Sequence, residues 1–381
     1  MMKAKLCARF ALLATLATLT GARAQAQDKF VIGVSAGLTG YVATIDRAWS
    51  DAVRMAAEIV NQQGGVLGKK LEVVVEDNRS EPQEAVASYR KMMSSDHAGV
   101  FISGCLSAGN LAAIPVVMRQ QIPMILCSII SRDDQQQKWM FSTIPPPVFE
   151  VNTRYEYLRN KTEIRKVGVI YDQSPYANLL LKAANDEAAT YSMMVVGAEQ
   201  YQQNDADLSV IIKKLQAAGA EAIMKMGVGP TTMTAAKNIN DMALGIPLLT
   251  SSEDVAVFGP VSKVLGKDFF FVAGPTQVYD ALPDSDPTKT AIGKFLGPWR
   301  AKYGDRDPTW AGRGYDSVMF VVEAIKRGNS ADGSKLRDEI EKTSGFQGTS
   351  GAYNFDKSHY GITTNPYVLA QITEGKIVIM K

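Results

Sequence analysis

The sequence predicts an α/β protein of two doubly wound lobes, each a parallel sheet covered by helices. Three observations carry that expectation. Strand-like apolar runs alternate with amphipathic stretches along nearly the whole chain, the pattern of parallel sheets with helices on both faces. About 355 residues remain once an export signal is set aside, more than one hydrophobic core ordinarily serves. Two proline-rich segments, Ile144-Pro145-Pro146-Pro147 and Ala273-Gly274-Pro275, break the alternation where a chain would cross between lobes.

Residues 1–26 read as a secretory signal: a basic start (Lys3, Lys5, Arg9), an apolar run over 10–19, then small residues around Ala22, Ala24 and Ala26. The run is shorter than the roughly 20 residues a membrane span needs. Cys7 precedes the run, which argues against a lipid-bearing cysteine. A cleaved, soluble, periplasmic protein is expected. Cleavage removes Lys3, Lys5, Arg9 and Arg23 and no acid, leaving 37 basic against 39 acidic side chains, about −2. That balance gives no support to nucleic-acid binding.

The opening unit reads as a strand at 30–34, the glycine loop Gly37-Leu38-Thr39-Gly40, a helix over 48–62, a turn at 64–68, a strand at 71–76 and a polar loop to Pro82. Strands at 100–102 and 124–126 flank a helix from about Asn110. A second series follows, with strands at 166–171, 193–196, 222–226, 247–250 and 269–272 and helices at 177–189, 208–217 and 231–242. Helices at 289–303 and 311–327 are too few for a third domain and should return to the first lobe. The tail, strand-like at 350–355 and 366–379, should cross back. The expected division is 28–146 with 275–350 as lobe 1, and 147–273 with 351–381 as lobe 2.

No catalytic apparatus is visible. His97 and His359 stand beside no nucleophile motif and are expected at the surface; there is no G-x-S-x-G. No metal-ligand spacing occurs, and Cys105 and Cys127 form no C-x-x-C. The residues leave open whether those two cysteines bridge or remain buried thiols. The glycines from Gly33 to Gly40, with Glu76 or Asp77 ending the next strand, are similar to a dinucleotide loop but miss the G-x-G-x-x-G spacing. No cofactor and no metal are expected, and the chain is read as no enzyme. Strand-end loops are better candidates, because ligands of open α/β sheets meet the carboxyl ends of strands. Gly104 to Gly109 follows the third strand and Cys127 to Ser131 the fourth. Free backbone N–H groups at a helix start there would hold a carboxylate, though Ser107 and Ser131 would also serve as plain helix caps.

Ile32-Gly33-Val34 with Leu38-Thr39-Gly40, the run from Ile59 to Leu71 and Glu76-Asp77 resemble the opening of periplasmic substrate-binding proteins of the leucine/isoleucine/valine-binding type. Tyr171-Asp172-Gln173-Ser174-Pro175-Tyr176, Gly314-Tyr315-Asp316-Ser317-Val318 and the run from Phe346 to Asp356 continue the resemblance in order. It implies the type I fold, two α/β lobes with a three-crossing hinge, acting as the monomeric receptor of an ATP-driven (ABC) membrane permease. It also implies a carboxylate grip at Ser107, Ala108 and Ser128, with Ile130 where such proteins carry a threonine. Tyr176 would line the pocket, Glu253 would pair with a ligand ammonium, and Ile45 and Tyr279 would complete the lining, with Tyr41 at the entrance. The implied ligand is a small carboxylate, first a branched-chain or other apolar amino acid. An aromatic or aliphatic acid lacking the ammonium is the runner-up, and a sensory subunit or an exported oxidoreductase are the other classes.

Overall fold

The computed structural model describes residues 28–131, 133, 137–253 and 255–380, so the expected signal lies outside them. The first sheet holds β1 (Lys29–Ala36), β2 (Lys70–Asp77), β3 (Val100–Ile102), β4 (Met124–Leu126) and β5 (Met140–Ser142). Its order is β2-β1-β3-β4-β5, with every pair parallel. Strands β3, β4 and β5 are fully buried three-residue runs, and β3 and β4 are accordingly apolar throughout instead of alternating. Helices α1 (Ala43–Gln62), α2 (Pro82–Ser94) and α3 (Ser107–Arg119) connect the strands. Helix α1 starts earlier than the sequence suggests, and its Ile45, Trp49, Val53, Ala56 and Val60 face the core at helical spacing.

The triple proline does not exclude a helix. Pro147 opens α4 (Pro147–Lys161), because the first helical position needs no N–H. The chain then runs β6 (Lys166–Tyr171), α5 (Pro175–Glu187), β7 (Met194–Gln200), α6 (Ser209–Ala217), β8 (Ala222–Met226), α7 (Thr231–Asp241), β9 (Leu248–Thr250), α8 (Val255–Leu265) and β10 (Phe269–Ala273). After α9 (Pro287–Tyr303), α10 (Thr309–Gly328) and α11 (Gly333–Glu341) come the hairpin β11 (Phe346–Gly348) and β12 (Gly351–Tyr353), then β13 (Val368–Thr373) and β14 (Lys376–Ile379). The second sheet is ordered β14-β13-β10-β9-β8-β6-β7, and only the pairings of β13, with β10 and with β14, are antiparallel. Both sheets thus carry the same winding, with the strand order reversing at β1/β3 and at β6/β8. Crevices for ligands open at such reversals.

Helix α10 joins the core of the first sheet through Val318, Val321, Val322 and Ile325. It lies so close to α1 that a Cβ on Gly314 would stand 2.7 Å from the Trp49 carbonyl oxygen. Two expectations need correcting. Tyr353, Phe355 and Ile362 are buried in the first-sheet core, where Phe355 meets Phe320 edge-on at 5.1 Å, so the stretch 351–362 does not belong with the second sheet. The chain reaches that sheet only at β13, beside β10. His359 is not a surface residue either; its ring stacks on Phe141 at 4.4 Å and its Nε2 meets Glu341 at 3.1 Å. Among the described residues no helix is long and apolar enough to cross a membrane.

Candidate functional site

The carboxyl ends of the two sheets face one another across a narrow cavity. On the first-sheet side the wall is Tyr41, Val42 and Ile45 after β1, Cys105 and Ser107 after β3, and Ser128 with Ile129 after β4. These loops are tied together. Asp46, fully buried on α1, accepts the Gly37 N–H at 2.6 Å with one oxygen and the Cys105 N–H at 2.7 Å with the other. Burial pushes its carboxyl up to about 7, against the pull of those two N–H groups. A disulfide joins Cys105 to Cys127, whose Cα atoms lie 4.6 Å apart, which resolves the open cysteine question. Asn110 donates to the Gly104 carbonyl at 2.7 Å and to Ser128 Oγ at 2.8 Å, and accepts from Tyr89. Ser107 is the first residue of α3. The N–H groups of that first turn have no partner within the helix, so a polar donor set faces the cavity.

The second-sheet wall is Asp172, Ser174 and Tyr176 after β6 and Val228 after β8, with Trp310 and Ile144 closing the side. Asp172 accepts from the Ser174 N–H at 2.8 Å and from Gln203 Nε2 at 2.6 Å. Burial raises its carboxyl and the Lys225 ammonium opposes the shift. Gly227 makes room for it: φ is +104°, and a Cβ there would fall 2.0 Å from Asp172 Oδ2. The Tyr176 hydroxyl donates to Glu150 at the start of α4, and Glu150 also accepts the Ser252 N–H at 3.1 Å. Burial raises Glu150 as well, with Arg154 as the main opposing charge.

The inner cavity is about 40 Å³, room for a few waters, whereas ordinary ligand pockets run to roughly 300–1,000 Å³. Next to it is an outer space of about 500 Å³ lined by Tyr41, Ala108, Asp172, Gln173, Ser174 and Gln203. Tyr41, Asp172 and Ser174 line both, so the two spaces meet at these three residues.

Of the residues singled out from sequence, Ile45, Ser107, Ser128 and Tyr176 line the inner cavity, and Ala108 and Tyr41 the outer space. Three do not come to this wall. Ile130 is buried behind the sheet against Tyr89, Phe101 and Met140, and its neighbour Ile129 takes the cavity position. Neighbours in extended chain point to opposite sides, so a one-residue offset reverses the outcome. Glu253 is 2 % exposed and already engaged, accepting the Gly229 N–H and, at 2.9 Å, the Thr232 hydroxyl at the start of α7. Tyr279 lines a separate groove of about 1150 Å³ with Arg47, Asp51, Thr276 and Arg306. Sequence reasoning missed Asp172, Val228 and Trp310. Asp172 had a signal, since it ends an apolar strand and begins the polar loop that leads to Tyr176.

A model of the family described as periplasmic binding protein matches residues 29–376. An amino acid binding protein of Pseudomonas aeruginosa is 24% identical over 374 residues, covering 93% of this chain and 94% of the relative. An extracellular ligand-binding receptor from Rhodopseudomonas palustris superposes with a TM-score of 0.84 at 18% identity, over 93% of this chain and 100% of the other. A branched-chain amino acid transporter substrate binding protein from Streptococcus pneumoniae, solved with isoleucine, gives 0.76 at 23% identity, over 92% and 98%. The chain belongs to the periplasmic binding protein family, with the two-lobed α/β fold of its type I members.

Proposed function

We propose that this chain is an extracytoplasmic receptor that captures an apolar α-amino acid, and is not an enzyme. It delivers that solute to the membrane permease of an ATP-driven importer. The observation that carries this reading is the cavity itself. The start of α3, with Ser107 as its first residue, faces across the gap a wall bearing Asp172 and Tyr176. The first suits a carboxylate, by free N–H groups and the helix dipole. Ile45, Val42, Ile129 and Trp310 supply the apolar surroundings of a hydrocarbon side chain. The names of the relatives point to the same ligand class. Two lobes, divided near the Pro145–Pro147 and Ala273–Pro275 crossings, would open to admit the solute and close over it. Residues 1–26 serve as the cleaved signal that exports it.

A thermal-shift screen of the mature protein against the common L-amino acids and a set of aromatic acids tests the reading. A solute bound only by the folded state, at 100 times its Kd, adds about 2.7 kcal/mol of apparent stability. Apolar amino acids should raise the melting temperature. A shift with aromatic acids alone, benzoate included, would overturn the amino-acid assignment.

A further inference from the structure

We propose that the ammonium of the bound solute sits on the Asp172 carboxylate and the side-chain oxygen of Gln203, and that Glu253 does not touch it. This rests on the amino-acid reading above and names the subsite that reading needs. Asp172 is the acid that lines both the inner cavity and the outer space, on the path a solute would take. Its oxygens take the Ser174 N–H and Gln203 Nε2, with the Ser174 hydroxyl and the Val228 N–H also on them, and none of these partners carries a charge.

The second observation is independent. Gln203 gives its Nε2 to Asp172, while its Oε1 is buried with no hydrogen-bond partner among the described residues. A buried acceptor left unmatched is costly, and an ammonium beside Asp172 would match it. The backbone of Gly229 comes close to that oxygen, and only glycine leaves it uncovered there. A side chain on Gly229 would start 2.9 Å from that oxygen and 3.9 Å from the Tyr41 ring, and Gly229 has no side chain. Local charge agrees. Asp172 and Glu253 share one buried cation, Lys225, which gives its Nζ to the Gly227 carbonyl at 3.2 Å. Glu253 is spent on the start of α7, so the acid that faces the cavity is Asp172. With the carboxylate at Ser107, the solute's two charges would tie one wall to the other.

The test is calorimetry on the mature protein. The probe is whichever of L-leucine, L-isoleucine, L-valine, L-alanine and L-phenylalanine binds wild type tightest, set beside its deaminated acid (4-methylpentanoate for leucine). Asp172→Asn should weaken the amino acid about 30-fold or more, the range for truncating one side of a buried charge pair. It should leave the deaminated acid within about threefold. Gln203→Leu should cost about three- to tenfold, one hydrogen bond, for the amino acid only. Glu253→Gln should change affinity less than about threefold. If Asp172→Asn does not fold, Gln203→Leu decides. Variants at 172 and 203 that bind the amino acid like wild type would overturn the subsite and leave the amino-acid reading standing. Wild type binding only the deaminated acids would overturn both.

Discussion

Asp46 and Cys105 stand 59 positions apart, yet the Asp46 carboxylate takes the Cys105 backbone N–H at 2.7 Å, fixing the loop after β3 to the start of α1. With the Gly37 N–H on its other oxygen, one buried acid sets the geometry of two of the three loops on that wall. Asn keeps only one acceptor oxygen, so Asp46→Asn should lose one of these bonds and about 1–2 kcal/mol of stability.

The same acid sets a pH dependence. Asp46 and Asp316 are each pushed up to about 7 by burial, whereas an unfolded Asp ionises near 4. Between about pH 4 and 7 the folded protein holds protons that the unfolded chain releases. The stability they contribute is complete below about 4 and is lost as pH rises through 7. Asp77, Glu221, Glu339 and Glu341 are shifted downward and act oppositely, but only below about pH 4 to 5. The urea midpoint should therefore be higher at pH 5.5 than at pH 8, and Asp46→Asn should flatten that slope. A midpoint that rises from pH 5.5 to 8 would contradict the assignment.

The disulfide spans 22 positions and both its sulfurs belong to residues of the cavity wall. Loop-closure entropy for a ring of that size is about 3 kcal/mol. The double variant Cys105→Ser, Cys127→Ser should unfold at correspondingly lower urea, and should bind solute more weakly because two strand-end loops are released. Equal urea midpoints with and without reductant would show the bridge to be energetically idle.

The strands and the winding were legible because buried parallel strands are written as unbroken apolar runs, as in Val100-Phe101-Ile102 and Met124-Ile125-Leu126. Helix α2 was not, although Ala85, Tyr89 and Met92 fall at helical spacing, because that buried stripe is narrow and most of the remaining positions are polar. Strand β5 is three residues, Met140 to Ser142, too short for any periodicity. At the site, Ser107 was singled out from its place just after a strand, and Tyr176 only through the family resemblance. Glu253 and Asp172 were not distinguishable in sequence, because both are acids at strand ends. Which one faces the gap is decided by the Gly229 N–H and Thr232, which hold Glu253 at the start of α7.

Gly227 should tolerate no side chain. Its φ of +104° is strained for any other residue, and a methyl would meet Asp172 Oδ2 at 2.0 Å. Gly227→Ala should cost about 1–3 kcal/mol from the backbone alone. It should also weaken solute binding, because Asp172 must move. Loss of stability with unchanged affinity would mean that the Asp172 position is unimportant to the ligand.

The inner cavity of about 40 Å³ cannot hold an amino acid as it stands, so binding requires the two walls to part and meet again. The contacts that would break include the Val255 N–H given to Asp307 at 2.7 Å, between the start of α8 and the turn before α10, and the packing of Tyr176, Leu179 and Val228 on the first-sheet core. The crossings are built to permit this, with prolines flanking the first and Gly274 free of a side chain in the second. A solute that touches both walls favours the closed arrangement by its differential affinity alone. Small-angle scattering of the mature protein should therefore give a smaller radius of gyration with a verified ligand than without it. Asp307→Ala should shift the unliganded form toward the larger value and raise the ligand's Kd, since closure then loses one of its own contacts. Identical scattering with and without ligand, at saturation established by calorimetry, would rule out lobe closure as the way this protein holds its solute.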